Sequence, residues 1–454
     1  MAEIRRSLHG EWASRLVFIL AVAGSAIGLG NIWKFPYITG QNGGGAFVLV
    51  YLACILLIGI PIMMAEILIG RRGRRNPAEA MRLVAEESNR SPQWKIVGKM
   101  AILAGFIILS FYCVIAGWAF DYMLQSTAGV FQAATPASVQ LVHDKLMANP
   151  WRLLAWSTLI LALTFFIIVR GVKKGLEVAI RFMFPIMLIL LLILVGYSIK
   201  EGSFLQGVDF LFRPDFSKLS TNGFLVALGH AFFTLSLASG SVMMYGAYLP
   251  KDISISSSTI FIASADTLVA LLAGLAIFPI VFAYGLAPSA GPGLLFQSLP
   301  IAFGHMPYGV LFATLFFAMI VLAALTSTIA MIEPTVAWLI ERFKMSRFKA
   351  ASSAMLVLWV ASLGSVLSFN YWSDVTLFGQ TYFGLSDYLS SNIMLPLGGF
   401  LVAIFVGWRM LPEYSFAELN LPCRMLFHCW RFTLRYLSPL AIIIIGINLI
   451  YPLA

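Results

Sequence analysis

Seven residues able to do polar chemistry interrupt otherwise apolar stretches of this chain: Lys34, Glu66, Asp266, Glu333 and Asp387, with His230 and Asn31 as polar companions. Asp266 is the most exceptional, because residues 268–272 are all apolar and no base lies within a helical turn of it. An unpaired carboxylate in such surroundings takes up a proton or attracts a cation. Thr326-Ser327-Thr328, which follows Leu322-Ala323-Ala324 closely, is a hydroxyl-rich patch. Hydroxyl and free carbonyl oxygens suit a hard cation, although Ser and Thr in a helix also bond back to their own i−4 carbonyls. Covalent chemistry has no matching apparatus. No His/Cys cluster has zinc spacing, no Gly-rich loop ends in Lys-Ser/Thr, and no nucleophile has an attendant base. An enzyme is not expected.

The elements that must position these residues follow from composition. The 454 residues are 60% hydrophobic and 11% charged, with a mean hydropathy of +0.89, whereas a soluble domain carries about 25% charged residues. The apolar runs come in pieces of roughly 20 residues, the length that crosses about 30 Å of hydrocarbon as a helix. They are continuous, unlike the short alternating strands of a β-barrel. Eleven helical spans are predicted, at 12–38, 43–70, 96–124, 152–170, 176–199, 223–249, 255–285, 308–343, 348–368, 385–409 and 431–452. Arg5, Arg6, His9 and Glu11 precede a first span too long and too Gly-rich for a signal peptide. With the N-terminus inside, 24 of the 30 Lys and Arg fall on the cytoplasmic side, so the C-terminus is expected outside. The net charge of +10 is thus a topology signal scattered over several loops, and no nucleic-acid partner is expected. Cys54 and Cys113 lie in apolar runs and Cys423 and Cys429 among arginines, a pattern of free thiols.

A charge at bilayer depth costs about 2.5–3.5 kcal/mol on insertion scales, so each one needs a partner, water or a function. Lys34 fits snorkelling to the outer interface. Glu66 and Glu333, near the cytoplasmic ends of their spans, fit a structural hydrogen bond to a broken helix as well as a role in transport. Two spans carry breaks. The first contains Gly24-Ser25-Ala26-Ile27-Gly28-Leu29-Gly30, and the sixth contains Ser236-Leu237-Ala238-Ser239-Gly240. Interrupted segments in corresponding places of two halves point to a transporter site on inverted repeats. Tight helix crossings, where small residues admit close backbones, are the other reading.

Longer motifs surround these breaks. Trp12-Ala13-Ser14-Arg15, Gly28-Leu29-Gly30-Asn31-Ile32-Trp33-Lys34-Phe35-Pro36-Tyr37 and Asn42-Gly43-Gly44-Gly45-Ala46-Phe47 resemble the signature of the neurotransmitter:sodium symporters. Phe111-Tyr112, Ala231-Phe232-Phe233-Thr234-Leu235-Ser236-Leu237 and Leu325-Thr326-Ser327 extend the match, which runs from Trp12 to about residue 408. The short termini and eleven spans resemble the bacterial branch. The resemblance implies an all-α polytopic membrane protein of two inverted five-helix repeats, with helices 1 and 6 broken at a central site. On that pattern residues 1–11 are a cytoplasmic segment and 12–199 the first repeat. Residues 200–222 are an outside loop, 223–410 the second repeat, and 411–454 a cytoplasmic linker with the eleventh helix.

Carried over residue by residue, the resemblance implies two sodium sites. The first uses Ala26, Asn31, Thr234 and Asp266, where the family usually has Asn. The second uses carbonyls of Gly24, Ile27 and Ala323 with the hydroxyls of Thr326 and Ser327. An amino-acid carboxylate would meet backbone N–H groups near Gly28, Leu29 and Gly30 and the Tyr112 hydroxyl, since a half-helix N-terminus favours an anion. Its amine would meet carbonyls around Ala26, Phe233 and Thr234 and the Ser236 hydroxyl. The side chain would lie against Ile108, Phe233, Ser239 and Met331, with Phe232 and Phe233 helping to close the site. Lys34 with Asp387 would form the outer gate.

Departures from the pattern sharpen the expectations. Ala270 replaces the Ser of chloride-dependent relatives, so Asp266 is expected to supply the negative charge and no chloride is expected. His230 replaces a common Gln. His9 stands where an Arg often closes the inner gate, which leaves Arg5 or Arg6 as partners for Glu341. Gly28, where amine carriers place an Asp, leaves room for a substrate's own carboxylate. Small Ala238 and Ser239 with flexible Met331 suggest large apolar or aromatic side chains. The expected function is sodium-coupled import of amino acids across the cell (inner) membrane, with no obligate protein partner. The rival is a proton-coupled transporter of the same architecture using Asp266. A channel would need a polar stripe along a whole span, and none is present.

Overall fold

Runs of apolar residues become long helices, and the Gly- and Ser-rich interruptions become breaks. The computed structural model describes residues 5, 7–289 and 293–450. Its helices are α1 (Arg15–Ala26), α2 (Gly30–Gln41), α3 (Gly45–Gly73), α4 (Pro77–Glu87), α5 (Pro92–Thr127), α6 (Pro150–Ile168), α7 (Val172–Glu201) and α8 (Thr221–Thr234). They continue as α9 (Ser241–Ala247), α10 (Ile255–Ala283), α11 (Gly309–Phe343), α12 (Arg347–Leu367), α13 (Tyr382–Arg409), α14 (Pro412–Leu419), α15 (Arg424–Phe432) and α16 (Ser438–Ile450). Short helices such as Pro136–Met147, Phe204–Phe212 and Leu299–His305 lie between them.

Among the described residues eight helices are long and apolar enough to cross a membrane, and α1 with α2, bent by 51° at their break, make a ninth. The sixth expected span is α8 and α9 with residues 235–240 between them, so neither half reaches spanning length alone. The eleventh begins earlier than expected, at Arg424 rather than 431, as α15 leading through a π-helical turn into α16.

The two breaks have local causes. Ser14 caps α1 by accepting the Val17 N–H at 3.3 Å, and the helix stops at Ile27, whose ψ of 101° is extended. A Cβ on Gly28 would lie 2.4 Å from Ser327 Oγ and 2.6 Å from Tyr112 Oη, so a larger residue there requires these hydroxyls to move. In the second break Ser236, Ala238 and Gly240 take positive φ values of 53°, 57° and 80°, which no helix tolerates. The core gathers around α1, which packs on α7, α9, α10 and α11, while α5 and α11 share the most extensive helix contact.

Candidate functional site

Broken helices leave backbone groups without intrahelical partners, and buried groups of that kind must find others. At the first break the Gly28 N–H donates to Asn31 Oδ1 at 3.1 Å, and the Leu29 N–H donates to Tyr112 Oη at 3.1 Å. At the second, the Ala238 N–H donates to Glu66 Oε1 at 2.6 Å, with Glu66 fully buried. Ser236 Oγ donates to the Ser25 carbonyl at 3.0 Å and thereby joins the two breaks. Of the two roles open to Glu66, its geometry matches the structural bond to a broken helix. Glu333 instead accepts from Tyr248 Oη at 2.6 Å and from Arg347 Nη1 at 3.1 Å.

Asp266 is fully buried on α10 and has three partners from three other helices. Asn31 Nδ2 donates to its Oδ1 at 2.8 Å and to its carbonyl at 3.0 Å. Thr234 Oγ1 donates at 3.0 and 3.2 Å, and Tyr51 Oη at 3.5 Å. Tyr51 was not anticipated, since one aromatic residue in a long apolar helix carries no distinguishing signal. Three of the four residues expected at the first sodium site therefore form one cluster, and Ala26 lines the adjoining cavity.

Of the residues expected at the second site, Ala323, Thr326 and Ser327 lie together on α11. Thr326 Oγ1 donates to the Ala323 carbonyl at 2.8 Å, and Ser327 Oγ reaches the Ala323 and Ser25 carbonyls at 3.3 and 3.2 Å. A Cβ on Gly24 would stand 3.6 Å from Thr326 Cβ, so α1 and α11 touch here. Ile27 is buried at the end of α1. Both hydroxyls thus bond back along their own helix, and Ser327 also reaches a carbonyl of α1. Ser25, absent from the expected set, supplies the carbonyl shared by Ser236 and Ser327.

Between the breaks lies a cavity of about 30 Å³. Of the twelve residues expected around a substrate, Ala26, Gly28, Gly30, Ile108, Tyr112, Phe233, Ser236, Ser239 and Met331 line it. Leu29, Phe232 and Thr234 are not part of this lining, and Leu395 of α13 joins it without any sequence signal beyond being apolar. The cavity is small, and the flexible side chains of Phe233 and Met331 form part of its wall. Toward Lys34 a second recess of about 240 Å³ opens beside Phe233, lined also by Asn222, His230, Ser391 and Asn392. The buried His230 ring lies against Phe35 and Tyr51, at centroid distances of 6.0 and 5.4 Å.

Both expected gate pairs need correction. Lys34 and Asp387 form no ion pair among the described residues. Lys34 Nζ sits 4.2 Å from the centroid of the Phe233 ring, a cation–π contact, and Asp387 accepts from Ser391 Oγ at 2.8 Å. At the opposite, Arg-rich face, Glu341 pairs with His9 Nε2 at 2.9 Å and accepts from the N–H and Nδ2 of Asn76 at 2.8 and 2.7 Å. Arg5 goes elsewhere, to Glu87 at 3.3 Å, because His9 already occupies the reach of Glu341. Arg6 lies outside the described residues.

The sodium:neurotransmitter symporter family matches residues 9–136 and 143–453. An uncharacterised sodium-dependent transporter of Bacillus subtilis is 38% identical over 443 residues, covering 97% of either chain. The human sodium- and chloride-dependent GABA transporter 2 is 25% identical over 482 residues, covering 93% of this chain and 78% of its own. The crystal structure of MhsT in complex with L-phenylalanine superposes with a TM-score of 0.89 at 40% identity, covering 97% of this chain and 99% of that one.

Proposed function

The chain belongs to the sodium:neurotransmitter symporter family, and from that membership we propose that it is a sodium-coupled symporter importing amino acids by alternating access. One observation carries the reading. Asp266 is bonded to Asn31 beyond the first break and to Thr234 just before the second, beside the cavity that both breaks line. An ion entering that oxygen cluster ties the two broken segments together. A substrate carboxylate reaching the same break completes the shell, so ion and substrate raise each other's affinity reciprocally. The solved relative that binds L-phenylalanine supports an amino-acid substrate, and the small Ser239 with the flexible Met331 in the cavity wall supports a large apolar or aromatic side chain.

The finer parts of the proposal follow the same residues. Sodium site one comprises Ala26, Asn31, Thr234 and Asp266, and site two comprises Gly24, Ile27, Ala323, Thr326 and Ser327. Asp266 supplies the fixed negative charge, so transport needs no chloride. Residues 12–199 and 223–410 act as two inverted repeats, and the Lys/Arg bias sets the N-terminus in the cytoplasm of a cell with its C-terminus outside.

The test is uptake into proteoliposomes, preceded by a thermal-shift screen of the twenty amino acids with and without sodium. Uptake of the stabilising amino acid is expected to stop when choline replaces sodium. Uptake that persists in choline and follows an imposed pH gradient overturns sodium coupling in favour of proton coupling through Asp266.

A further inference from the structure

The face that carries the His9–Glu341 contact also holds a recess of about 480 Å³ that the transport reading does not use. Arg75, Arg82, Lys95, Lys99 and Arg342 line it, against two carboxylates, Glu79 and Glu341. Both carboxylates are already engaged. Arg82 Nε donates to Glu79 at 2.9 Å, and Glu341 is held by His9 and Asn76. Arg82, with Arg75 and Lys95 near, keeps the Glu79 carboxyl below its usual range. Lys95, Lys99 and Arg342 form no ion pair among the described residues, so the recess is left electropositive.

Helix geometry intensifies the field. Lys95 and Lys99 are four residues apart, so they share one face of α5 near its N-terminal end, where residues 92–99 include no acidic residue. The N-terminal end of a helix carries a partial positive charge, so cations there are unfavourable unless an anion accompanies them. Exposed apolar residues adjoin two cations of the recess in sequence, Ile96 beside Lys95 and Phe343 beside Arg342. Trp338 lines the recess and packs edge-on to Phe343 at 5.7 Å, while Phe343 and Ile96 are 58% and 57% exposed. Cations beside exposed apolar side chains at the end of membrane-spanning helices match a phosphate joined to acyl chains better than a free anion.

We propose that this recess binds the phosphate-bearing headgroup of an anionic phospholipid, held by Lys95, Lys99 and Arg342, with its acyl chains along Ile96 and Phe343. The lipid bridges α4, α5 and the end of α11 beside the Glu341 contacts. The proposal rests on the cytoplasmic orientation given above only for which leaflet supplies the lipid. Binding itself is independent of transport.

The test is native mass spectrometry of the delipidated full chain titrated with phosphatidylglycerol or phosphatidylcholine. Phosphatidylglycerol is expected to bind in preference, and the triple variant Lys95→Gln, Lys99→Gln, Arg342→Gln is expected to lose about a hundredfold in that affinity. The charge-keeping variant Lys95→Arg, Lys99→Arg, Arg342→Lys is expected to retain it, which separates lost charge from lost fold. Equal binding of phosphatidylglycerol by the Gln variant and the wild type overturns the proposal. Displacement of the lipid by millimolar inorganic phosphate also overturns it, by showing a site for a soluble anion. Sodium-driven uptake in phosphatidylcholine vesicles, measured on the Gln variant, is expected to equal wild type. Its absence in both proteins would count against the transport reading and leave the lipid result standing.

Discussion

Gly28 carries two demands at once. Its backbone N–H is turned to Asn31 Oδ1, and the space where a side chain would start is taken by Ser327 Oγ and Tyr112 Oη. Gly28→Asp would push a carboxylate into that space and set it against an incoming substrate carboxylate, and like charges so juxtaposed cost several kcal/mol. Amino-acid uptake is therefore expected to fall below detection while the protein still reaches the membrane. Unchanged uptake in this variant sinks the carboxylate assignment. Asp266 yields the second prediction. In a dry site its carboxylate balances a bound cation directly, whereas an amide of the same shape leaves excess positive charge. Wild-type uptake is expected to survive replacement of chloride by gluconate, and Asp266→Asn to lose sodium affinity or to gain a chloride requirement. Loss of wild-type transport in gluconate removes Asp266 from the role of compensating charge.

Among the elements, the break between α8 and α9 depends on a residue remote in sequence. Ala238 has a left-handed backbone, and its N–H is buried with Glu66 as acceptor. Glu66→Leu leaves that N–H without a partner, at about 1–3 kcal/mol. Glu66→Gln keeps an acceptor oxygen at the same place. The expected order of thermal stability in detergent is wild type, then Glu66→Gln, then Glu66→Leu, with uptake following the same order. A Glu66→Gln variant as damaged as the Leu variant would show that charge, and not the hydrogen bond, matters there. Asn31 and Gly28 solve the matching problem within the first break itself, because the Asn side chain reaches back three residues to the buried N–H that the break frees.

The whole molecule is latched at its N-terminal segment by contacts distributed along the chain. Arg5 meets Glu87, His9 meets Glu341, Glu11 meets Arg74, and the buried Trp12 donates its indole N–H to the Tyr245 carbonyl at 3.0 Å. Glu341 has one contact to His9 and two to Asn76, as many as Glu87 makes to Arg5 and Arg72. Glu341→Ala is expected to shift the population toward a state open on this face. The measurement is the labelling rate of a cysteine at Thr335, on the same helix, in a cysteine-free background. A rise of about tenfold is expected, equivalent to about 1.4 kcal/mol of bias. An unchanged rate would show that the remaining N-terminal contacts hold the face closed without Glu341.

Composition and apolar run lengths were enough to establish a polytopic helical membrane protein, since the need to satisfy every backbone group in hydrocarbon leaves few alternatives. The two breaks were equally legible, because Gly and small polar residues at mid-span are costly and visible. Asp266 was legible for the same reason. The pairings were not. Lys34 preferred the face of Phe233 to Asp387, Arg5 chose Glu87 over Glu341, and Tyr51, Ser25 and Leu395 joined the site with no local signal. A long cationic side chain can reach several partners, and an apolar residue on an apolar helix can face any neighbour. The choice among them depends on how helices distant in sequence pack together, which only the tertiary structure decides.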